Sequence, residues 1–286
     1  MVEAILSYLW AATLVSLIQI GIFLVPSLIL AFIMNYQSGF VQRRALLTMG
    51  KGWYLGLFGW LGTIVHELGH AIFCLIFRHK ITAIKLFDPN PKTGTLGYVE
   101  HSYNSTSFYQ LAGNFFIGIG PILFGMAIIY LLSYLLLGLN PFKLANNFNM
   151  ASSQDISWET LRQIFQILWT SSNSLMREVF SWHNLSTWQL YAFIYLAFAI
   201  GSSITLSPAD LKGTLKGFSV IVAVIILIFI FNLVTAWMGD FSSDLVTRAT
   251  GYMSIFYTAM FLILLLNIAA SVLVLLPLSF LRTRHH

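Results

Sequence analysis

Long uninterrupted apolar stretches are the feature that most restricts the fold of this chain. Soluble domains carry charges on about a quarter of their residues, whereas only 9% of the residues here are charged and 58% are hydrophobic. A helix of about twenty apolar residues crosses the hydrocarbon layer of a bilayer. The sequence therefore predicts an all-α polytopic membrane protein, one domain over residues 1–286, with about six transmembrane helices at Ile5–Met34, Trp53–Phe77, Leu111–Leu139, Trp188–Leu206, Phe218–Trp237 and Tyr252–Leu281.

Charge and cysteine content exclude some classes of protein and leave orientation open. The net charge of +5 comes from Lys and Arg in the predicted loops, which is usual for membrane proteins and indicates no nucleic-acid partner. These basic residues divide almost evenly between the two faces, so the positive-inside rule does not orient the chain. Cys74 is the only cysteine, which excludes an intrachain disulfide. We interpret the terminal His285 and His286 as the remnant of a tag.

A metal-binding motif lies inside the second apolar stretch. His66-Glu67-Leu68-Gly69-His70 has the H-E-x-x-H pattern, which on a helix puts two imidazoles on one face with a carboxylate beside them. Two such nitrogens suit Zn²⁺, and the carboxylate suits a general base for an attacking water. The alternative is a pair of histidines hydrogen-bonded to neighbouring helices, with Glu67 neutralised by burial. Ionisable residues at membrane depth are costly and usually functional, which favours a zinc hydrolase working inside the bilayer.

The segment after this helix has the pattern of a β-hairpin at the membrane surface. Apolar and polar residues alternate from Ile81 to Phe87, turn residues follow, and Thr95–Val99 can run back. An exposed strand edge here could pair with an extended substrate, which makes Leu96 and Val99 candidate substrate-binding residues. The alternative is a simple connecting loop.

Two further segments have an open interpretation. The third predicted span begins with Gly113-Asn114 and contains Gly120-Pro121, so its small residues allow close helix packing. Asn114 is a candidate for a hydrogen bond to a substrate carbonyl, with a purely structural bond as the alternative. Residues Asp155–Phe180 have apolar positions at helical spacing and tryptophans suited to the headgroup region. They predict an interfacial amphipathic helix, with packing against the bundle as the competing explanation.

A zinc ion held by two histidines needs a third protein ligand, and Asp210 is the best-placed acidic residue. In a six-span arrangement the second and fourth spans are parallel, so both carry their C-terminal ends to the same face. Pro208 would interrupt the helix there and let the Asp210 carboxylate turn inward. The alternatives are an aspartate in a charged loop, with Cys74, Glu100 or His101 as the missing ligand.

With these residues in place, the chain resembles the site-2 protease family of intramembrane zinc metalloproteases over a core of residues 53–217. The resemblance rests on HELGH, the Gly120-Pro121 span, the surface hairpin and the aspartate that follows a proline. It implies His66, His70 and Asp210 as zinc ligands and Glu67 as the base. It also implies cleavage of membrane-spanning proteins, with an active site that opens toward the cytoplasm. Where that family has a glycine directly after the aspartate, this chain has Leu211.

The sequence thus leads to a zinc-dependent intramembrane endopeptidase of the cell membrane, acting on membrane-spanning or membrane-associated proteins. Two alternatives stay open. One is a zinc-dependent hydrolase of a non-peptide bond, such as a lipid amide. The other is a catalytically silent membrane protein that binds or transports its ligand.

Overall fold

The computed structural model describes residues 29–90, 95–140, 158–235 and 258–277 of the chain. These residues are mostly helical, with one small sheet, as the sequence predicted. In chain order the elements are α1 (29–49), α2 (Lys51–Ile76), β1 (Lys80–Lys85), β2 (Tyr98–Ser102), α3 (Phe108–Gly118), α4 (Gly120–Leu137), α5 (Trp158–Val179), α6 (Trp182–Leu185), α7 (Trp188–Gly201), α8 (Pro208–Thr235) and α9 (Thr258–Pro277). Helix α2 contains one π-helical turn, Leu55–Gly59.

Three helices within the described ranges are long and apolar enough to cross a membrane, namely α2, α4 and α9. This supports a membrane protein, but the six predicted spans are not confirmed. Most of the first predicted span lies outside the described residues, as do the ends of the fifth and sixth. The third and fourth differ from the prediction for physical reasons.

The predicted third span, Leu111–Leu139, is two helices that are divided at Ile119. Pro121 lies in the first turn of α4, where its missing N–H breaks no bond of its own helix. The same proline prevents α3 from continuing, because its nitrogen cannot donate to the carbonyl one turn earlier. The interruption is therefore encoded by Gly120-Pro121.

The predicted fourth span, Trp188–Leu206, ends early. Helix α7 has 14 residues and stops at Gly201, so it is about 21 Å long, short of the roughly 30 Å of hydrocarbon. The chain then leaves the helical conformation over residues 202–207 and resumes as α8 at Pro208. This second interruption takes the place of the loop that was predicted around Asp210.

Contacts between residues on different helices show the relative directions of these helices. Phe58 contacts Phe198, and His66 contacts Ser203, so α7 is parallel to α2 as predicted. Helix α3 is antiparallel to α2, because Phe77 stacks on Phe116 while Gly69 approaches Gly120.

Helix α8 is in turn antiparallel to α3, since Gly118 approaches Asp210 and Phe115 contacts Phe218. Helices α7 and α8 consequently run in the same direction. The sequence predicted that the fourth and fifth spans run in opposite directions, and this prediction is wrong for α7 and α8.

The β-hairpin is confirmed. Strands β1 and β2 are antiparallel, with Ile84 opposite Val99 and Lys85 opposite Tyr98. Pairing continues beyond the strands, because the Asp88 N–H donates to the Leu96 carbonyl at 2.6 Å. The second strand lies three residues later than Thr95–Val99, and residues 91–94 lie outside the described part.

Helix α5 occupies most of the segment predicted as an interfacial helix. Its last turns carry Leu175 and Val179, both buried in the apolar core between α4, α7 and α9. Core packing therefore explains this end of the helix. Trp169 and Trp182 are 63% and 89% exposed, as expected of residues at a headgroup layer, and a location at the interface stays a prediction.

Candidate metal centre

The two histidines of the H-E-x-x-H motif lie one turn apart on α2 and converge. Their Nε2 atoms are 3.2 Å apart. His70 is buried and His66 is half-buried. The helical spacing predicted from the sequence therefore brings both imidazoles to one point.

Each histidine is oriented by a backbone carbonyl from one of the two helix interruptions. Nδ1 of His66 lies 2.8 Å from the Ser203 carbonyl oxygen, and Nδ1 of His70 lies 2.8 Å from that of Ile117. A carbonyl only accepts, so each Nδ1 carries the proton and donates it. In the neutral rings both Nε2 atoms are then bare lone pairs, the form in which imidazole binds a metal.

Asp210 completes the cluster from the first turn of α8. Its Oδ1 lies 3.3 Å from Nε2 of His70. Ser207 and Asp210 form a reciprocal cap, because the Ser207 N–H donates to Oδ2 at 2.7 Å and the Asp210 N–H donates to Ser207 Oγ at 3.2 Å. The cap fixes one carboxylate oxygen and leaves the other for the histidines.

His66, His70 and Asp210, hereafter the metal cluster, can hold a metal ion. The three ligand atoms lie within 4.8 Å of one another. Two lone pairs and a carboxylate oxygen repel each other unless a cation lies between them. Ligands of a tetrahedral zinc are about 3.3 Å apart, which fits the 3.2 and 3.3 Å separations found here. The donor set fits one ion with a fourth position left open.

Glycines permit the close helix crossings that assemble the cluster. A Cβ added to Gly69 would lie 2.8 Å from the Gly120 carbonyl oxygen, so α2 and α4 touch backbone to backbone beside His70. A Cβ on Gly118 would lie 2.7 Å from the Asp210 carbonyl oxygen. The glycine of HELGH is thus a packing residue, which the motif alone does not reveal.

The hairpin lies directly over Glu67. Glu67 is 7% exposed, and a Cβ added to Gly97 would lie 2.9 Å from its Cγ. Gly97 is flanked on the same strand segment by Leu96, and Val99 follows within β2; both side chains are half-buried. The predicted base and the predicted substrate strand are therefore neighbours. Their catalytic and substrate-binding roles stay predictions.

The metal cluster includes neither Asn114 nor Cys74. Asn114 is buried, and its amide donates to the Leu111 carbonyl of its own helix at 3.3 Å. This is the structural bond considered as the alternative, and a substrate contact by Asn114 stays a prediction. Cys74 is fully buried and does not belong to the cluster found among the described residues.

A second histidine pair ties the hairpin to α3, and the sequence pattern did not single it out. His79 Nε2 donates to the Gln110 carbonyl at 2.8 Å, so its Nδ1 accepts from Nδ1 of His101 at 3.0 Å. Burial lowers the pKa of His79. Burial, then His79 and His70, lower the pKa of His101. Both lowered pKa values favour the neutral rings that this hydrogen bond requires.

Comparison with known proteins gives no match: no protein-family model, no curated protein and no solved structure matches this chain. The metal cluster is therefore supported by the geometry of this chain alone.

Proposed function

We propose that this protein is a zinc-dependent intramembrane endopeptidase. The observation that carries the proposal is the metal cluster, which lies against a helix able to span a membrane. Adjacent to it on the same helix is a buried carboxylate, that of Glu67. Two nitrogens and one carboxylate oxygen with an open fourth position are typical of catalytic zinc rather than structural zinc. The chemistry of this donor set supports the family resemblance found in the sequence.

The depth of the metal cluster supports a reaction inside the bilayer. His70 lies six residues before the end of α2 at Ile76, which is about 9 Å of helix. Zinc bound there would supply a Lewis acid that polarises the scissile carbonyl and lowers the pKa of water toward about 7. The apolar helices around the cluster exclude bulk water and so strengthen each electrostatic interaction.

The side chains then have separate roles. Nε2 of His66, Nε2 of His70 and Oδ1 of Asp210 would hold the ion. Glu67 takes a proton from the attacking water and passes it to the amine that leaves. The Ser203 and Ile117 carbonyls keep the two imidazoles in the correct tautomer throughout.

Substrate entry requires an unwound chain. The carbonyls of a transmembrane helix are already bonded within that helix and cannot reach the site. The segment that contains Leu96 and Val99 is extended backbone close to Glu67, and within the described residues β2 has only β1 as a strand neighbour. We propose that a substrate pairs with this segment. We further propose the cell membrane as the location, with the site opening toward the cytoplasm.

Replacing Leu96 or Val99 by proline is expected to depress cleavage of a membrane substrate more than zinc binding. Proline removes the backbone donor needed for strand pairing. Alanine at the same position keeps that donor and serves as the matched control. Cleavage rate and zinc affinity are measured on each purified variant. Full activity in both folded proline variants would exclude strand pairing and leave the hairpin as a connector.

Removal of the ligands tests the proposed function. We expect the purified protein to bind about one zinc per chain, as a single two-histidine, one-carboxylate site implies. His66→Ala and His70→Ala should each lose it, and Asp210→Ala should bind it more weakly. The exposed His183 and Glu178 provide matched alanine controls that keep the metal.

The same variants are then produced in cells, and fragments of membrane proteins are compared by mass spectrometry. Fragments ending within membrane segments should appear with the native protein and the two control variants, and should disappear with the ligand variants. Full zinc content in a His66→Ala/His70→Ala double variant would disprove the site. Zinc binding without such fragments would disprove the peptidase.

A further inference from the structure

The carbonyl that orients His70 is available because of a proline. In an uninterrupted helix the Ile117 carbonyl would accept from the N–H of residue 121, four residues later. Residue 121 is proline, which has no N–H. The Ile119 N–H bonds the Phe115 carbonyl and the Ile122 N–H bonds the Ile119 carbonyl. One backbone N–H at the end of α3 reaches the Ile117 carbonyl, which leaves the second lone pair of that oxygen for another donor.

His70 takes the place of the missing donor. Its Nδ1 lies 2.8 Å from the Ile117 oxygen. The crossing of Gly69 over Gly120 brings the two groups together, because a Cβ on Gly69 would lie 2.8 Å from Cα of Pro121. The contact of Gly69 with Gly120 therefore brings His70 to the Ile117 carbonyl.

The break between α7 and α8 also leaves a backbone carbonyl without its helical donor. The N–H four residues after Ser203 belongs to Ser207, and it donates to Oδ2 of Asp210 instead. The Ser203 carbonyl is thereby left for Nδ1 of His66. In both interruptions the loss of one helical hydrogen bond orients one metal ligand.

We propose that Pro121 is a positioning residue of the metal cluster. By lacking an N–H, it keeps the Ile117 carbonyl open for His70 and so presents the Nε2 lone pair of His70 to the ion. Any ordinary residue at position 121 brings a donor that competes with His70 for the same oxygen. The inference rests on the proposed zinc site, and it gives a positioning role to a residue that would contact neither metal nor substrate.

Two residues that differ in a single group test this role. Pro121→Ala introduces an N–H, whereas Pro121→lactic acid, incorporated by nonsense suppression, has an ester oxygen at that place and the same methyl group. Zinc affinity is measured by competition with a chelator. We expect Pro121→Ala to bind zinc about 10- to 100-fold more weakly, as loss of a ligand's outer hydrogen bond does. The lactic acid variant should keep the native affinity.

Native affinity in both variants, or an equal loss in both, would overturn the inference, because the N–H would then not be the cause. ¹⁵N NMR of the metal-free native protein gives a second test that needs no variant at position 121. The His70 signal, assigned with His70→Ala, should show a protonated Nδ1 and a bare Nε2. The opposite tautomer would overturn the role of the Ile117 carbonyl. Absence of zinc binding by the native protein would instead refute the proposed function and leave the NMR test valid.

Discussion

Replacing Glu67 by glutamine is expected to abolish cleavage while the protein keeps its zinc. Glutamine has nearly the same shape but cannot accept the proton of the attacking water, and loss of such a general base typically costs about 10²- to 10⁴-fold in rate. Zinc content should stay at the native value because Glu67 is not part of the metal cluster. Cleavage of a membrane substrate and zinc content are measured side by side on detergent-purified protein, with Glu178→Gln as a control at an exposed site.

The same variant separates the competing functions. A silent binding or transport protein would keep its function largely intact in Glu67→Gln, whereas an enzyme would lose turnover. A hydrolase of lipid amides would also lose turnover, but its native form would release a fatty acid and not a peptide fragment. Native cleavage rates in Glu67→Gln would exclude Glu67 as the base.

Adding a single methyl group to Gly217 is expected to weaken both the fold and the zinc site. A Cβ at Gly217 would lie 2.1 Å from the Phe115 nitrogen, so α8 would have to move away from α3. Asp210 lies two turns earlier on the same helix and would move with it. Overpacking of this kind typically costs about 1–3 kcal/mol. We expect a lower unfolding temperature and a lower zinc affinity in Gly217→Ala.

Gly213 provides the matched control. It lies on the same helix, one turn closer to Asp210, and the nearest atom to its added Cβ is the Asn114 carbonyl oxygen at 4.0 Å. Alanine fits there and has a higher helix propensity than glycine by about 1 kcal/mol. Gly213→Ala should therefore leave zinc affinity unchanged and raise stability slightly. Equal effects of the two variants would show that this helix contact does not set the position of Asp210.

Local chemistry in the sequence was sufficient to predict the residues of the cluster. H-E-x-x-H places His66 and His70 on one face wherever it is helical, and the parallel direction of α2 and α7 brings the chain after α7 to the same side. Asp210 was therefore expected near the histidines and lies beside His70. The hairpin followed from alternation and turn residues, and β1 confirms it over Lys80–Lys85.

The sequence did not predict where these helices stop, because a proline marks a possible break without deciding whether a membrane helix ends there. Leu111–Leu139 satisfies the length and hydropathy of one span, yet Pro121 divides it. In most membrane helices a neighbouring group accommodates such a proline without a break. The backbone contact between Gly69 and Gly120 lies beside this break and depends on a residue far away in sequence.

The carbonyls of Ile117 and Ser203 link the histidines of the metal cluster to the stability of the fold. Each oxygen lies 2.8 Å from Nδ1 of one histidine of the metal cluster. A mutation that removes either histidine therefore also removes a hydrogen bond to the backbone, at a typical cost of about 0.5–1.5 kcal/mol. Under the proposed function, loss of Glu67 would remove catalysis and neither of these two hydrogen bonds, whereas loss of a histidine would remove catalysis and one of them. Inactive descendants of this protein should accordingly retain both histidines more often than the glutamate.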